Sequence, residues 1–384
     1  MKVKDLLKFI PQEELEFLAA ETEVNFQVKK LDGITMFQLL LYTMLHYNEA
    51  SLRVMERFYN SASFKTLANT GDQTTKFNSI RDRIVNINAE FFEKIFYSLF
   101  DKFSKYFNEQ DAIQRYDSTM VAIASKLVDW GMKVGRKTAK KQIKYTIGLK
   151  GSFPCHVEIF KNKQSLCEDL TIPTAIFNSK EKEKGIIVFD RGVHKRKTFV
   201  KLSKNNLRFV TRINTNVAYE VISRQTSIPV NTASTVIIEE DLIIKFMNQE
   251  RKEDDPTFRL IKGTIKATGE PIYFVTNITD IEAYQIAAIY KQRWQIEVFF
   301  KFLKQQLNLS HFISRDENAI RVNIYMTLIV AILIIAYQKL NSIKGYKITK
   351  LQMANDLQDD LIAQIVVLCG GNPKLFFKNE AASP

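Results

Sequence analysis

The chain has 384 residues, of which 46% are hydrophobic, and its formal net charge of +13 gives a sequence pI of about 9.4. This length exceeds one average domain and falls short of three, and the basic balance favours nucleic acid as a partner over an anionic membrane surface. Because the only cysteines are Cys155, Cys167 and Cys369, with no Cys-x-x-Cys or Cys/His cluster, the sequence indicates neither a zinc site nor a disulfide framework.

The N-terminal stretch MKVKDLLKFIPQEELEFL contains acidic residues and has no long apolar centre, so it does not resemble a signal peptide. Residues 1–108 are predicted to be helical, because apolar residues recur there at steps of three and four. The segment NTGDQTTKFNSIRDRIVNIN combines a polar turn with a short basic helix. It is a candidate helix-turn-helix DNA reader, although an ordinary helical bundle has the same pattern.

From residue 109 the pattern changes to short β-rich runs separated by glycine, proline and polar turns. The predicted order is three strands, a helix, a strand, a helix and a strand, which favours a mixed α/β sheet. Asp117 interrupts the first of these runs, and Asp190 follows the apolar run GIIVF directly. Each aspartate has a simpler interpretation as a turn or capping residue.

Residues 214–278 alternate as shorter strands and are predicted to form a β insertion. After them, Thr279 to Glu282 match a capping box, and the absence of glycine and proline from Ile272 to Lys344 predicts mostly helix. The apolar run from Ile324 to Tyr337 is shorter than the ~20 residues that a membrane helix needs, so we predict a buried core helix there.

One predicted helix carries the pattern Tyr290-x2-Arg293-x3-Glu297-x6-Lys304. At about 100° per residue, these four side chains share a polar face with Trp294 and Lys301. The opposite arc is apolar and is expected to pack on the sheet, through the side chains of Ile296, Val298, Phe299, Phe302, Leu303 and Leu307. A solvated face with ordinary ion pairs is the simpler interpretation. A surface that meets a phosphate backbone explains better why cations and aromatic residues surround a single acid.

Basic residues follow both aspartates. Arg191 comes directly after Asp190 and is joined by Lys195, Arg196 and Lys197, and a second basic cluster lies between Lys133 and Lys144. Carboxylates beside phosphate-binding cations are what metal-assisted cleavage of a phosphodiester needs.

The Tyr-Arg-Glu-Lys pattern resembles the Y-R-E-K signature of the IS4-type DDE transposases. The flanking segments YKQRWQIEVFFKFLKQQL, YDST, VFDRG, FVTRI and FVTNI are similar to that family as well, and the resemblance covers roughly residues 70–340. It implies an α/β fold with an RNase H-like catalytic core, interrupted by a β insertion and preceded by an α-helical N-terminal domain. The expected boundaries are 1–108 for the helices that are expected to bind DNA, 109–340 for the core and 341–384 for a C-terminal helical tail.

The resemblance also implies the chemistry. Asp117, Asp190 and Glu297 are expected to be catalytic and to ligate two Mg²⁺ ions, or Mn²⁺. The expected DNA-binding residues are Tyr290, Arg293, Trp294, Lys301, Lys304 and Arg191.

These residues predict a cytoplasmic, nucleoid-associated transposase that cuts its insertion sequence from DNA and joins it to target DNA, as a homodimer on DNA and without a membrane partner. A nuclease with no strand transfer and a non-catalytic DNA-binding protein remain the alternatives. The end sequences, the target preference and the use of a hairpin intermediate stay open.

Overall fold

The computed structural model describes residues 2–109, 113–123, 131–133, 141–181, 185–225, 228, 231–247, 255–310 and 312–376. The chain divides into two compact units. A helical unit contains Met1–Phe103 and Lys301–Pro384, and a sheet unit contains Ser104–Phe300. This division differs from the predicted domains, because residues 301–340 group with the N-terminal helices instead of the catalytic core.

The helical unit begins with seven helices, which are α1 (Val3–Leu7), α2 (Gln12–Glu21), α3 (Gly33–His46), α4 (Leu52–Tyr59), α5 (Ala62–Ala68), α6 (Phe77–Asn86) and α7 (Ala89–Tyr106). The helical prediction for the N-terminal region is therefore correct in type. The candidate DNA reader contains the connection Asn69–Lys76 and α6, and α5 precedes it. That connection is longer than the turn of about 3–4 residues in a standard helix-turn-helix. Arg83 of α6 also has a structural role, because its guanidinium donates to the backbone carbonyls of Val24 and Leu31.

The described residues of the sheet unit form ten strands: β1 (Gln114–Ala122), β2 (Met132–Lys133), β3 (Lys141–Lys150), β4 (Phe153–Phe160), β5 (Ile187–Phe189), β6 (Phe209–Ile213), β7 (Tyr219–Arg224), β8 (Val236–Phe246), β9 (Phe258–Ile265) and β10 (Pro271–Thr276). Its helices are α8 (Glu168–Asn178), α9 (Arg196–Lys204), α10 (Ala283–Lys291) and the first part of α11 (Trp294–Gln306). After α11, the helical unit continues with α12 (Glu317–Leu340), α13 (Tyr346–Leu368) and α14 (Pro373–Phe376).

Helix α12 contains the predicted apolar run and packs against α3, α6 and α13 within the helical unit. Its length and composition would allow a membrane span, but 94% of its most apolar window is buried by protein. The prediction of a core helix is thus confirmed. A helix that is apolar all round has to be enclosed by other helices, which explains why residues 317–340 belong to the helical unit.

The sheet has the strand order β2-β3-β1-β5-β6-β10-β9-β8-β7, and β4 also pairs with β3. Strand β1 is antiparallel to β3 and parallel to β5, and β5 is parallel to β6. The path β4-β3-β1-β5-β6 is an RNase H-like sheet, as expected. In β5, Phe189 belongs to the core formed with α8 and α9, whereas Val188 belongs to the core formed with α10. Burial on both faces explains why this strand is an unbroken apolar run.

The β insertion extends the core sheet instead of forming a separate sheet, because β10 pairs with β6. The consecutive segments STVIIEE and DLIIKFM of this insertion form one strand, β8, whose register with β9 shifts between Ile238 and Glu240. Asp241 in this strand is buried and receives two hydrogen bonds from Arg259, at 2.8 and 2.6 Å. A buried carboxylate is acceptable in a strand interior when a guanidinium pairs with it in this way.

Candidate active site

The register of two parallel strands brings the two aspartates together. Strands β1 and β5 pair Arg115 with Val188 and Tyr116 with Phe189, and the next residue of each strand path is Asp117 or Asp190. The carboxyl ends of parallel strands are where α/β sheets place their ligand sites. The sequence predicted Asp117 within a strand and Asp190 at the end of another strand. The pairing of these two strands, β1 and β5, makes the aspartates neighbours.

Asp117 lies in a partly desolvated position, with its side chain 20% exposed. Its Oδ1 accepts a hydrogen bond of 2.7 Å from the backbone N–H of Ser118. Burial raises the pKa of Asp117 to about 6, and the negative charges of Glu168 and Asp190 act in the same direction. Arg293 and the Ser118 N–H oppose the increase in pKa. A carboxyl crowded by other carboxyls favours a neutralising cation.

The predicted single helix around Glu297 is two helices. Helix α10 ends at Lys291 and α11 starts at Trp294, and the N–H groups of Gln292, Arg293, Gln295 and Ile296 bond to carbonyls three residues earlier. Such tight bonds change the direction of the backbone, so one helical wheel cannot describe both sides of the break. The helix α10 itself begins later than predicted, with a capping box formed by Glu282 and Gln285 instead of Thr279 and Glu282.

Arg293 lies at this break and joins two of the three predicted ligands. Its Nη2 is 2.5 Å from Glu297 Oε1, and its Nη1 is 3.6 Å from Asp117 Oδ2. The guanidinium is only 16% exposed, so solvent screens these ion pairs weakly. The structure therefore brings Asp117, Arg293 and Glu297 into one cluster beside Asp190.

Tyr290 and Trp294 have very different surroundings. Tyr290 is buried against Phe274, at 5.5 Å between ring centroids, and burial raises the pKa of its hydroxyl to about 12. The Arg293 guanidinium lies 6.0 Å from the Tyr290 ring. Trp294 is 62% exposed, which leaves its indole face open to a ligand. Val298 was predicted on the packed arc of the helix but is 43% exposed, because it lies at the edge of that arc, next to the polar face.

The remaining predicted cations are on the surface. Arg191 lies in the turn directly after Asp190 and is exposed. Lys301 and Lys304 are exposed on α11, in the part of that helix that belongs to the helical unit. Of the basic cluster after Asp117, residues 134–140 lie outside the described residues. Lys144 is buried and forms an ion pair of 2.8 Å with Glu168, so it stabilises the fold and is not available to DNA.

Sequence reasoning missed the acids at the start of α8. Glu168 Oε2 accepts a hydrogen bond of 3.0 Å from the hydroxyl of Ser118, next to Asp117. Asp169 Oδ1 accepts from the backbone N–H groups of His194 and Lys195, in the loop that follows Asp190. Two adjacent acids before an apolar helix are an ordinary first-turn pattern, so nothing local distinguishes them from a helix start.

Arg212 was also missed. It follows Thr211 in β6 and lines an open polar cavity of about 720 Å³ together with Arg191, Asn214, Thr215 and Asn216. Its position inside the quoted segment FVTRI was the only available signal. Arg212, Asn214 and Asn216 thus provide cationic and amide hydrogen-bond donors close to Arg191.

The donor chemistry of the cluster fits a hard divalent cation, since Asp117, Asp190 and Glu297 present only carboxylate oxygens. Within the part of the chain that the structure describes, no three His, Cys, Asp or Glu side chains are close enough to hold one ion together. Arg293, which contacts both Asp117 and Glu297, lies between two of the expected ligands.

Comparison with known proteins agrees with this arrangement. Residues 111–333 match the family model described as "Transposase DDE domain", a family that acts on DNA and generally uses divalent metal ions. A protein from Synechocystis sp. that carries the name of a transposase for the insertion sequence element IS4SA is 29% identical over 309 residues, which are 79% of this chain and 81% of that protein. A Sinorhizobium fredii protein named as transposase y4zB is 31% identical over 158 residues, or 41% and 43% of the two chains.

A further relative, from Geobacillus stearothermophilus, is named as a transposase for the insertion sequence element IS5377. It is 22% identical over 218 residues, which are 57% of this chain and 54% of that protein. The family match covers more than half of the sequence and contains both aspartates, Arg293 and Glu297. The chain therefore belongs to the DDE transposase family.

Proposed function

We propose that this transposase works by cut-and-paste transposition, with metal-dependent cleavage at the ends of its insertion sequence followed by strand transfer into target DNA. The observation that carries the proposal is the parallel register that sets Asp117 beside Asp190, with Glu297 joined to Asp117 through Arg293. This arrangement gathers three acids and one arginine at the carboxyl edge of an RNase H-like sheet.

In this proposal Asp117, Asp190 and Glu297 hold two Mg²⁺ ions, which Mn²⁺ can replace. When bound, such a pair supplies activation of the attacking oxygen and stabilisation of the leaving oxygen in a phosphodiester displacement. The raised pKa of Asp117 supports this role, because burial, aided by the negative charges of Glu168 and Asp190, disfavours the carboxylate anion, and a bound cation would offset both effects.

Arg293 has one role before DNA binds and another role afterwards. In the DNA-free protein it neutralises Glu297 and Asp117, at 2.5 and 3.6 Å. A phosphate of the transposon end offers the guanidinium another bidentate partner. When Arg293 turns to that phosphate, it frees both carboxylates to act as ligands. Binding of the correct end and completion of the acid cluster are thereby coupled.

The other DNA contacts are proposed for Tyr290, Trp294, Lys301, Lys304 and Arg191. Lys301, Lys304 and Arg191 are exposed and suited to phosphates. The exposed Trp294 indole can stack on a base that is unpaired near the cut. Tyr290 is largely buried, so its proposed part is limited to supporting Arg293 and offering its hydroxyl at the edge of the site.

Two ends must be joined to one target, and each chain supplies one set of Asp117, Asp190 and Glu297. We therefore propose a homodimer in the DNA complex, which sizing of the chain with and without end DNA would reveal as a change from one to two copies.

The deciding experiment incubates the chain with DNA that carries the inverted repeats flanking its gene, a target plasmid, and Mg²⁺. Transposition predicts both nicking at the repeat boundary and joined products. Nicking without joined products would favour the RNase H-like nuclease, and selective binding without nicking would favour a non-catalytic DNA-binding protein. Asp190→Asn is the control for a contaminating nuclease.

A further inference from the structure

Arg115 is a buried arginine close to the acids that no motif identified. It lies on β1 two residues before Asp117, so both side chains are on the same face of the strand. Only 3% of Arg115 is exposed. Burial lowers the pKa of its guanidinium to about 10, which leaves it charged at neutral pH.

The Arg115 guanidinium donates hydrogen bonds to four acceptor atoms. Nε donates to the backbone carbonyl of Gln292 at 2.9 Å, and Nη2 donates to the Gln292 side-chain Oε1 at 2.8 Å. Nη1 donates to the carbonyls of Ile113 and Gly151, at 3.1 and 2.9 Å. The guanidinium thus connects β1 and the turn after β3 to a single residue of the helical segment.

Gln292 is the first residue of the break between α10 and α11, directly before Arg293. Its carbonyl also accepts the N–H of Gln295 at 3.0 Å, so Arg115 and the start of α11 share one acceptor. The break contains no glycine or proline, and kinks usually have such a residue or an inserted side chain as their cause. Here the inserted group is the Arg115 guanidinium.

We propose that Arg115 is a positioning residue for the transposase reaction: by holding Gln292 it fixes the α10–α11 break in the orientation that points Arg293 and Glu297 toward Asp117. This inference rests on the proposed roles of Asp117 and Glu297. Arg115 itself touches neither the acids nor DNA in this scheme, and it acts only through Gln292.

The first test needs neither DNA nor metal. Trp130→Phe leaves Trp294 as the only tryptophan, two residues after Gln292, and its fluorescence reports on the start of α11. In that background Gln292→Ala should increase acrylamide quenching and lower the anisotropy of Trp294. Gln292→Glu keeps an acceptor for Arg115 Nη2 and should restore both signals. Arg208→Met is the matched control, since Arg208 forms a similar two-bond contact with Asp280 before β6.

The second test measures single-turnover cleavage of end DNA at saturating protein. Gln292→Ala should slow cleavage by roughly 10- to 100-fold, the usual range for misplaced catalytic groups, and should raise the Mg²⁺ concentration for half-maximal rate. Affinity for end DNA in Ca²⁺ should change less than twofold, and Gln292→Glu should recover most of the rate. Arg115→Met should be at least as slow as Gln292→Ala, and if it does not fold, the two Gln292 variants decide.

Wild-type values for Trp294 and for cleavage in Gln292→Ala would overturn the proposal, as would a Gln292→Glu variant no better than Gln292→Ala. The outcome is separable from the proposed function. If Asp117→Asn still cleaves, the assigned acids are wrong, and the positioning role goes with them. If Asp117→Asn is inactive but Gln292→Ala cleaves normally, only the positioning role of Arg115 is wrong.

Discussion

Asp117 and Asp190 occupy equivalent positions on two neighbouring parallel strands, because β1 pairs Tyr116 with Phe189 and each aspartate is the next residue. We expect Asp117→Asn, Asp190→Asn and Glu297→Gln each to abolish cleavage while the fold is kept, since amides bind Mg²⁺ poorly. Circular dichroism and end cleavage measure the two effects. The exposed Asp280 provides the control substitution Asp280→Asn, which should cleave normally. Cleavage above a few per cent in any of the three would remove that residue from the site.

The metal requirement has its own test. Ca²⁺ should support binding of end DNA but not cutting, because its larger and looser coordination places the reacting oxygens badly. Mg²⁺ or Mn²⁺ added to the same complex should start cleavage. Rapid cleavage in EDTA would contradict metal-assisted chemistry at Asp117 and Asp190.

Burial raises the pKa of Asp117 from an ordinary 3.8 to about 6, so the folded protein favours the protonated carboxyl. The folded protein is therefore most stable with respect to Asp117 below about pH 4, where this carboxyl is protonated, and it loses that stability as the pH rises through 6. In EDTA, Asp117→Asn should therefore be more stable than wild type at pH 7.5, by roughly 2–3 kcal/mol, and the gap should close near pH 4. Urea denaturation at both pH values measures the gap, and a gap independent of pH would contradict the burial explanation.

Lys304 is exposed on α11 and is proposed to contact one phosphate. Lys304→Ala should weaken end binding and flatten the plot of log affinity against log salt by about one unit, because one counterion fewer is released. Lys266→Ala, an exposed lysine in the turn between β9 and β10, is the control. Equal slopes for wild type and Lys304→Ala would show that Lys304 contacts no phosphate and is an ordinary solvated residue of the helix.

Glu168 pairs with the buried Lys144 at 2.8 Å and accepts from Ser118 at 3.0 Å. Glu168→Gln should cost about 1–3 kcal/mol of unfolding free energy, since it leaves the Lys144 ammonium buried without its carboxylate. Lys144→Met combined with Glu168→Gln should be less unstable than the sum of the single changes. Urea denaturation of the four proteins gives the coupling, and strict additivity would show that the pair contributes nothing.

Recognition of the ends is predicted to depend on the N-terminal helices, and α6 carries the exposed Arg81. Arg81→Ala should reduce the preference for end DNA over random DNA in gel-shift competition, with cleavage of bound ends retained. Arg57→Ala on α4 is the control, because Arg57 is also exposed. Removal of the whole region is a poor test, since it would uncover α12, whose apolar surface packs against α3 and α6. An unchanged preference in Arg81→Ala would place recognition elsewhere.

The sequence by itself determined the local features of this protein. The apolar run before Asp190 is a strand because a strand buried on both faces needs no alternation, and the run from Ile324 to Tyr337 is a core helix because it is apolar all round. The spacing of Tyr290, Arg293, Glu297 and Lys304, with its flanking segments, was enough to identify the family that the comparisons then supported.

Only the tertiary structure decided which distant residues act together. The break before Trp294 has no local signal, because its direction depends on Arg115, which is far away in the sequence and reaches Gln292 across the fold. Glu168 accepts a hydrogen bond from Ser118, which brings it next to Asp117, and α12 belongs to the helical unit because it is buried against α3 and α6. Propensity and periodicity act over a few residues, whereas buried charges and apolar faces are satisfied by whichever partners the folded chain brings to them.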